Sequence, residues 1–373
     1  MSAPDVIEFD RRRAEPRHAH SEQVLLRRRI AVISLAATLA AGAVLATGAF
    51  APTGGVRTVH VLVTSPLPAK LPVEVTIKVP APRASTGGTP SGSSSPAAGA
   101  TGPTLPATAT TTGVLKSGAA SSFLALQREL AGPVGVAAVG VGSGSEVVLG
   151  NNARAPAWST SKVPVLVGLL KATHGVLNTT ELQEAQLAIT ESDNQSILDL
   201  FGDLEQLKGG LDGASAYITK LFRESGDDST VVTTAPPPPD AVTTFGQTEW
   251  SPGEAVKFYR AFAAGCLLPA SQTNYVLHLM QHIVSYESWG LGSAGFKAVA
   301  FKGGWGPQNN GAYLVRQSGI VDPSTSEAIA ITIVAHPPPG ADSFTVGTQM
   351  VTETAQWLAH ELILTPRTGA PCA

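Results

Sequence analysis

Residues 158–166 read Trp158-Ser159-Thr160-Ser161-Lys162-Val163-Pro164-Val165-Leu166. Three small polar residues run directly into an apolar stretch, which predicts a loop-to-helix transition. Pro164 fits the first helical turn, where few amides have partners to lose. Residues three apart share a helix face, so the Lys162 amine can reach the Ser159 hydroxyl. The positive end of the helix dipole falls at the same place. It should lower the lysine pKa toward a neutral, proton-accepting amine and favour negative charge on a serine oxygen. Lysine needs such help, because a protonated amine is a poor base. Taken alone, Ser-x-x-Lys is more commonly a helix-capping serine followed by a solvated lysine.

Two further stretches carry chemistry. Ser192-Asp193-Asn194 lies between Leu182–Ile189 and Ile197–Leu204, two helix-patterned runs, so it marks a break between helices and reads first as a cap. Lys-Gly-Gly occurs twice. Lys208-Gly209-Gly210 follows a helical run and reads as a helix stop with a C-terminal cation. Lys302-Gly303-Gly304 instead ends the apolar run Val299-Ala300-Phe301, shortly before another strand pattern. Glycines there let a ligand approach the strand backbone closely.

In order, Ser159-Thr160-Ser161-Lys162, Ser192-Asp193-Asn194 and Lys302-Gly303-Gly304 resemble the S-x-x-K, S-D-N and K-T-G set of class A β-lactamases and penicillin-binding enzymes. Glu181–Leu204 carries the likeness beyond the triplet, and the resemblance covers roughly residues 118–366. It implies a serine hydrolase in which Ser159 is the nucleophile and Lys162 accepts its proton. Ser192 relays a proton toward the leaving nitrogen, and Asn194 holds the acyl-amide group of the substrate. Lys302 supplies positive potential for a substrate carboxylate, beside Gly304. The backbone N–H groups of Ser159 and Trp305 form the implied oxyanion hole. The resemblance implies a β-lactam or a peptidoglycan-peptide-like substrate and calls for no metal or organic cofactor.

The chain departs from that pattern in three places. Gly303 stands where the family has Thr or Ser, so one hydroxyl contact to the carboxylate is missing. The span from Ser159 to Ser192 is shorter than usual. The glutamate that activates the deacylating water in class A enzymes would fall near Pro236, within Thr233-Thr234-Ala235-Pro236-Pro237-Pro238-Pro239-Asp240, which has no glutamate; Asp240 is its one carboxylate. Release of an acyl group is therefore open. A D-alanyl-D-alanine carboxypeptidase-type peptidoglycan hydrolase and a non-catalytic cell-wall-binding module remain alternatives to a β-lactamase.

The fold expected is α+β. Strand patterns at Val134–Val141 and Glu146–Leu149, and again at Ala298–Lys302, Ala312–Val321 and Ala328–Ala335, bracket a helical region. Further helices are expected at Phe123–Leu130, Pro252–Ala264, Ser271–Tyr286 and Val346–Leu364. This predicts one antiparallel sheet covered by the terminal helices, plus an all-helical lobe.

The remainder of the 373 residues is organisation. Residues 1–29 form an Arg-rich cytoplasmic tail, and 30–50 an apolar run without charge, long enough to span a bilayer. An uncleaved signal-anchor is expected, placing the rest outside the cytoplasm; secretion after cleavage is the alternative. Residues 51–80 suggest a small β-ribbon, 81–117 a Pro/Ser/Thr/Gly spacer, and 367–373 a tail. With 14% charged residues and a net charge of −3, nothing points to nucleic acid. Cys266 and Cys372 are either a disulfide pinning the C-terminal tail or two free thiols. His278 and His282, four apart, have metal-binding spacing but no third ligand nearby. Arg316 reads as a structural strand arginine more readily than as a carboxylate anchor.

Overall fold

A computed structural model describes residues 57–61, 75–79, 114–142, 146–364 and 372. The basic tail, the apolar run 30–50, most of the spacer and the tip of the first hairpin lie outside them. Among the described residues no helix is long and apolar enough to cross a membrane.

The described residues fall into two compact units, one holding residues 57–61 and 75–79 and the other the described residues from 114 onward. In the first, β1 (Arg57–Val61) and β2 (Val75–Val79) pair antiparallel, Arg57 opposite Val79 and Val61 opposite Val75. This is the ribbon that the alternating residues suggested.

The second unit is built from β3 (Val134–Gly140), β4 (Glu146–Gly150), β5 (Ala155–Pro156), β6 (Glu249–Trp250), β7 (Val299–Pro307), β8 (Tyr313–Val321) and β9 (Ile329–Ala335). Its main sheet has the order β4-β3-β9-β8-β7, every pair antiparallel. Successive strand residues face opposite sides, and β3 is buried at every position. Val136 and Ala138 therefore join Ile331, Ile333, Val351 and Leu358 on one face. Ala137 and Val139 join Ile320, Ala330, Val163 and Phe258 on the other. Burial on both faces is what made these strands read as continuous apolar runs rather than alternating ones.

The first face is covered by the terminal helices α1 (Ala119–Glu129) and α8 (Ser343–Glu361), with Phe123 packed on Trp357 at 5.2 Å between ring centroids. Against the second lie α6 (Pro252–Ala263) and a lobe of α2 (Lys162–Ala172), α3 (Thr179–Thr190), α4 (Asn194–Lys208), α5 (Leu211–Glu224) and α7 (Ala270–Gln281). The expected α+β architecture is the observed one.

Boundaries moved where tertiary contacts outweighed local preference. Strand β7 continues through Gly303 and Gly304 to Pro307, because the ladder to β8 carries the glycines, Lys302 opposite Ser318 and Gly304 opposite Arg316. Helix α7 stops at Gln281 instead of running to Tyr286; the Val284 N–H is drawn to the Thr190 carbonyl at 3.0 Å, and residues 285–287 form a 3₁₀ turn. Packing of the globular unit starts before residue 118. Val114 and Leu115 are buried, and Leu115 bridges to Leu362. Cys266 and Cys372 form a disulfide, with 5.3 Å between Cα atoms, which settles the two readings of the cysteines.

Behind the lobe, Asp227 anchors the long loop that leaves α5. Its carboxylate accepts from the N–H groups of Ser229 (3.1 Å) and Thr230 (2.9 Å) and from Trp250 Nε1 (3.0 Å). Glu254 faces it. Burial, reinforced by Asp227 and opposed by Lys257, pushes the Glu254 carboxyl up to about 7. The sign follows from linkage: a carboxyl raised from 4.5 binds more protons folded than unfolded between 4.5 and about 7, so its contribution to stability is lost as pH rises through that window. Asp227 is shifted the other way, so its effect falls at lower pH. Thermal midpoints of wild type and Glu254→Gln measured from pH 4.5 to 8 should diverge across this window, the variant lacking the decline that Glu254 causes. Parallel curves would show that the pair does not titrate there.

Candidate active site

The short β5–β6 pair delivers the chain into a 3₁₀ turn, Trp158–Ser161, that runs straight into α2. The Lys162 N–H closes this turn on the Ser159 carbonyl. Of the turn's three hydroxyls, Thr160 donates to the Ala157 carbonyl (2.5 Å) and Ser161 to the Trp158 carbonyl (2.6 Å). The half-buried Ser159 hydroxyl has no such bond among the described residues. It is not a helix cap, since α2 has no side-chain cap. Trp158 holds a positive φ of 45°, unusual for a bulky residue, and its indole lies over Gly306.

Strand β7, at the sheet edge, meets this turn. A Cβ on Gly304 would fall 2.9 Å from the backbone nitrogens of both Ser159 and Thr160. Only glycine lets the strand come so near, and Trp305 follows directly on the same edge.

Lys162 is buried, its Nζ donating to the backbone carbonyls of Ser192 and Asp193 and, at 2.8 Å, to Asn194 Oδ1. The Ser192 hydroxyl lies 3.4 Å from Lys162 Nζ and 2.8 Å from Lys302 Nζ. Two lysine side chains thus converge on one hydroxyl. Ser192 has φ of 57°, which turns the chain between α3 and α4, while Asp193 caps α4 by accepting from the Ser196 N–H at 2.7 Å. The motif is a cap, as its residue types suggest, and a lysine receptor as well. Asn194 is exposed, so its amide NH₂ faces solvent while its oxygen holds Lys162.

Burial, with the charge of Lys302 adding, holds the Lys162 amine well below the ordinary lysine pKa; Glu287 and Asp193 pull the other way. The main cause is desolvation. Lys302 is also lowered by burial and is opposed by Glu287, whose Oε2 lies 3.1 Å away. Glu287 is the functional neighbour that the sequence did not reveal. It sits in Val284-Ser285-Tyr286-Glu287-Ser288, a stretch without motif or periodicity, and only packing brings it beneath β7.

Other expectations sort cleanly. Arg316 is fully buried and turned inward, its Nη1 donating to the carbonyls of Ala155 (3.1 Å), Pro156 (3.2 Å) and Trp250 (3.0 Å). It props the strands leading to Ser159 and is structural. Asp240 is exposed and forms no hydrogen bond with Ser159, Lys162 or Ser192. Pro236 and its neighbours lie on the loop's outer surface. His278 and His282 stack at 4.1 Å on the lobe, and no group of three potential metal ligands gathers among the described residues.

The architecture has known counterparts. A β-lactamase from Streptosporangium roseum matches with a TM-score of 0.50 at 18% identity, over 65% of this chain and 97% of that one. An ancestral class A β-lactamase matches at 0.50 and 17%, over 65% and 99%. A mutant of the chromosome-encoded β-lactamase of Vibrio parahaemolyticus matches at 0.50 and 15%, again over 65% and 99%. No family model matches the chain, and no curated protein matches by sequence. The fold is therefore β-lactamase-like. At these identities the likeness speaks for the fold alone.

The lowered Lys162 pKa makes a measurable statement. The unfolded lysine holds its proton up to about 10.4, whereas the folded one releases it earlier, so stability should rise with pH between the two values. Carbon-13 NMR of the lysine Cε resonances, with Lys162→Met as the assignment control, should show Lys162 titrating well below the surface lysines. A Lys162 titrating with the surface lysines would refute the burial argument.

Proposed function

We propose that this protein is a serine acyl-transfer enzyme acting outside the cytoplasm. The observation that carries the reading is the convergence of Lys162 and Lys302 on the Ser192 hydroxyl, with Ser159 three residues before Lys162 in the chain. Lys162 in its amine form takes the Ser159 proton as the serine oxygen attacks an amide or β-lactam carbonyl. The resulting oxyanion is held by the backbone N–H groups of Ser159 and Trp305, where loss of one donor typically costs about a hundredfold to a thousandfold. Asn194 donates its exposed amide to the acyl-amide group. As the carbon–nitrogen bond breaks, the proton passes from Lys162 through Ser192 to the leaving nitrogen, leaving an ester on Ser159 and a free amine. Lys302 keeps the Ser192 hydroxyl oriented for that transfer.

Hydrolysis of the ester needs an activated water. The loop that would supply its base presents Pro236–Pro239 and an exposed Asp240. This favours a long-lived acyl-enzyme, as in a peptidoglycan hydrolase of the D-alanyl-D-alanine carboxypeptidase type, over rapid β-lactam turnover. The Cys266–Cys372 disulfide supports an oxidising compartment. The Arg-rich head followed by the apolar run 30–50 supports a single anchor with the catalytic unit on the far side of the membrane.

Incubation with a labelled penicillin and, in parallel, with an activated ester of an uncharged alcohol should give a stable one-to-one adduct on Ser159, followed by intact mass over hours. The adduct should form faster as pH rises through the lowered Lys162 pKa and then level off. No adduct from either reagent, or labelling that survives Ser159→Ala, would overturn the proposal. Gly304→Ala should slow acylation by about a hundredfold or more, since it pushes the nucleophile turn off the strand edge.

A further inference from the structure

We propose that Tyr259, which belongs to none of the three motifs, is the positioning residue for Ser159, and that one cross-strand row of the main sheet sets both hydroxyls of the site. This rests on the acyl-transfer reading above and adds to it the device that aims Ser159.

The direction of the Ser159 hydroxyl is set by the backbone of its turn, since that hydroxyl has no hydrogen bond of its own among the described residues. The turn is a short 3₁₀ element, whose internal hydrogen-bond geometry is poor. Its other two hydroxyls bond only to carbonyls within the turn and just before it, at Trp158 and Ala157. Support from outside comes through Thr160, the residue that follows Ser159. Its nitrogen is closely approached by the strand edge at Gly304. Its carbonyl accepts the phenol O–H of Tyr259, on α6, at 3.0 Å.

That phenol is itself fixed. Its ring stacks on Trp250 at 6.2 Å between centroids, and the Trp250 Nε1 donates to Asp227 at 3.0 Å. The Ser318 hydroxyl hydrogen-bonds the phenol oxygen, and Ser318 Oγ lies 3.0 Å from Thr332 Oγ1. Because Tyr259 gives its proton to the Thr160 carbonyl, Ser318 is the donor to the phenol, and Thr332 can donate to Ser318 in turn. Hydrogen bonds running in one direction polarise and strengthen one another. Thr160, Tyr259, Ser318 and Thr332 are all fully buried, so bulk water does not replace a lost member. Burial also pushes the Tyr259 phenol up, against Arg316 and Ser318, which keeps it protonated and donating.

The register joins this chain to the other half of the site. Lys302 on β7 lies opposite Ser318 on β8, and Ser318 lies opposite Thr332 on β9. The three side chains therefore form one row on one face of the sheet, with neighbouring strands about 4.8 Å apart. At one end Lys302 holds the Ser192 hydroxyl at 2.8 Å. From the middle, Ser318 acts through Tyr259 on the turn that carries Ser159. The attacking hydroxyl and the proton-passing hydroxyl are thus referenced to the same three residues. Tyr259 itself sits beneath the turn and touches no substrate.

The test uses the full-length chain and a labelled penicillin at a series of concentrations, with adduct formation followed by intact mass. The concentration dependence separates affinity of the initial complex from the acylation rate constant, and the final adduct stoichiometry counts competent molecules. In Tyr259→Phe the rate constant should fall by about tenfold or more, because a small displacement of the attacking atom is costly. Affinity, stoichiometry and the pH midpoint set by Lys162 should stay as in wild type. A loss confined to stoichiometry or thermal stability, with the rate constant kept, would mark a merely structural residue and overturn the proposal. Ser318→Ala should slow acylation in the same direction but less, and adding it to Tyr259→Phe should cost nothing further, as for members of one network. An unchanged rate in Ser318→Ala, or losses that add, overturns the shared row. No adduct on wild type removes the acyl-transfer reading and this proposal together. Should Tyr259→Phe fail to fold, Ser318→Ala decides by the same measurements.

Discussion

Two lysines buried within hydrogen-bonding distance of one serine hydroxyl set the terms for everything around them. Burying an ammonium group costs several kcal/mol unless charge and hydrogen bonds offset it. The protein answers differently for each. Lys162 is held by the oxygens of the Ser192–Asn194 break, while burial and the charge of Lys302 lower its pKa. Lys302 keeps a carboxylate partner, Glu287, in the same buried layer. The same residue type thus sits in two different electrostatic environments a few ångströms from one hydroxyl.

That arrangement demands three pieces of backbone in one place. The helix break must present carbonyl oxygens inward, and the left-handed conformation of Ser192 turns the chain to do so. The turn that carries Ser159 must abut the sheet edge, which the absence of a side chain at Gly304 permits. The strand pair before the turn must be rigid, and the inward Arg316 pins it through three carbonyls. Through Nη1 alone this buried arginine ties together the strands that lead to Ser159.

Much of the fold was legible because its signals are local. The apolar runs of β3, β8 and β9 are long enough to declare buried strands, and the helix-patterned segments between them declare a lobe. Where the reading slipped, a contact between distant residues had intervened: the β8 ladder carried β7 past its glycines, and the Thr190 carbonyl ended α7 early. Ser159, Lys162, Ser192, Asn194, Lys302 and Gly304 were all named from their motifs, and all except Ser159, whose hydroxyl stays free, prove to be joined by contacts of their own. Glu287 was invisible, since a carboxylate in a 3₁₀ turn has no local signature and matters only through what lies above it.

The sequence by itself therefore determined the spacing of Ser159 and Lys162, the helix break that receives Lys162, and the succession of strands and helices, because each depends on residues within a turn or two of one another. Only the tertiary structure decided how the site is charged. The partner of Lys302 and the inward course of Arg316 arise from segments distant in the chain, and electrostatics depends on proximity in space, which no local pattern encodes.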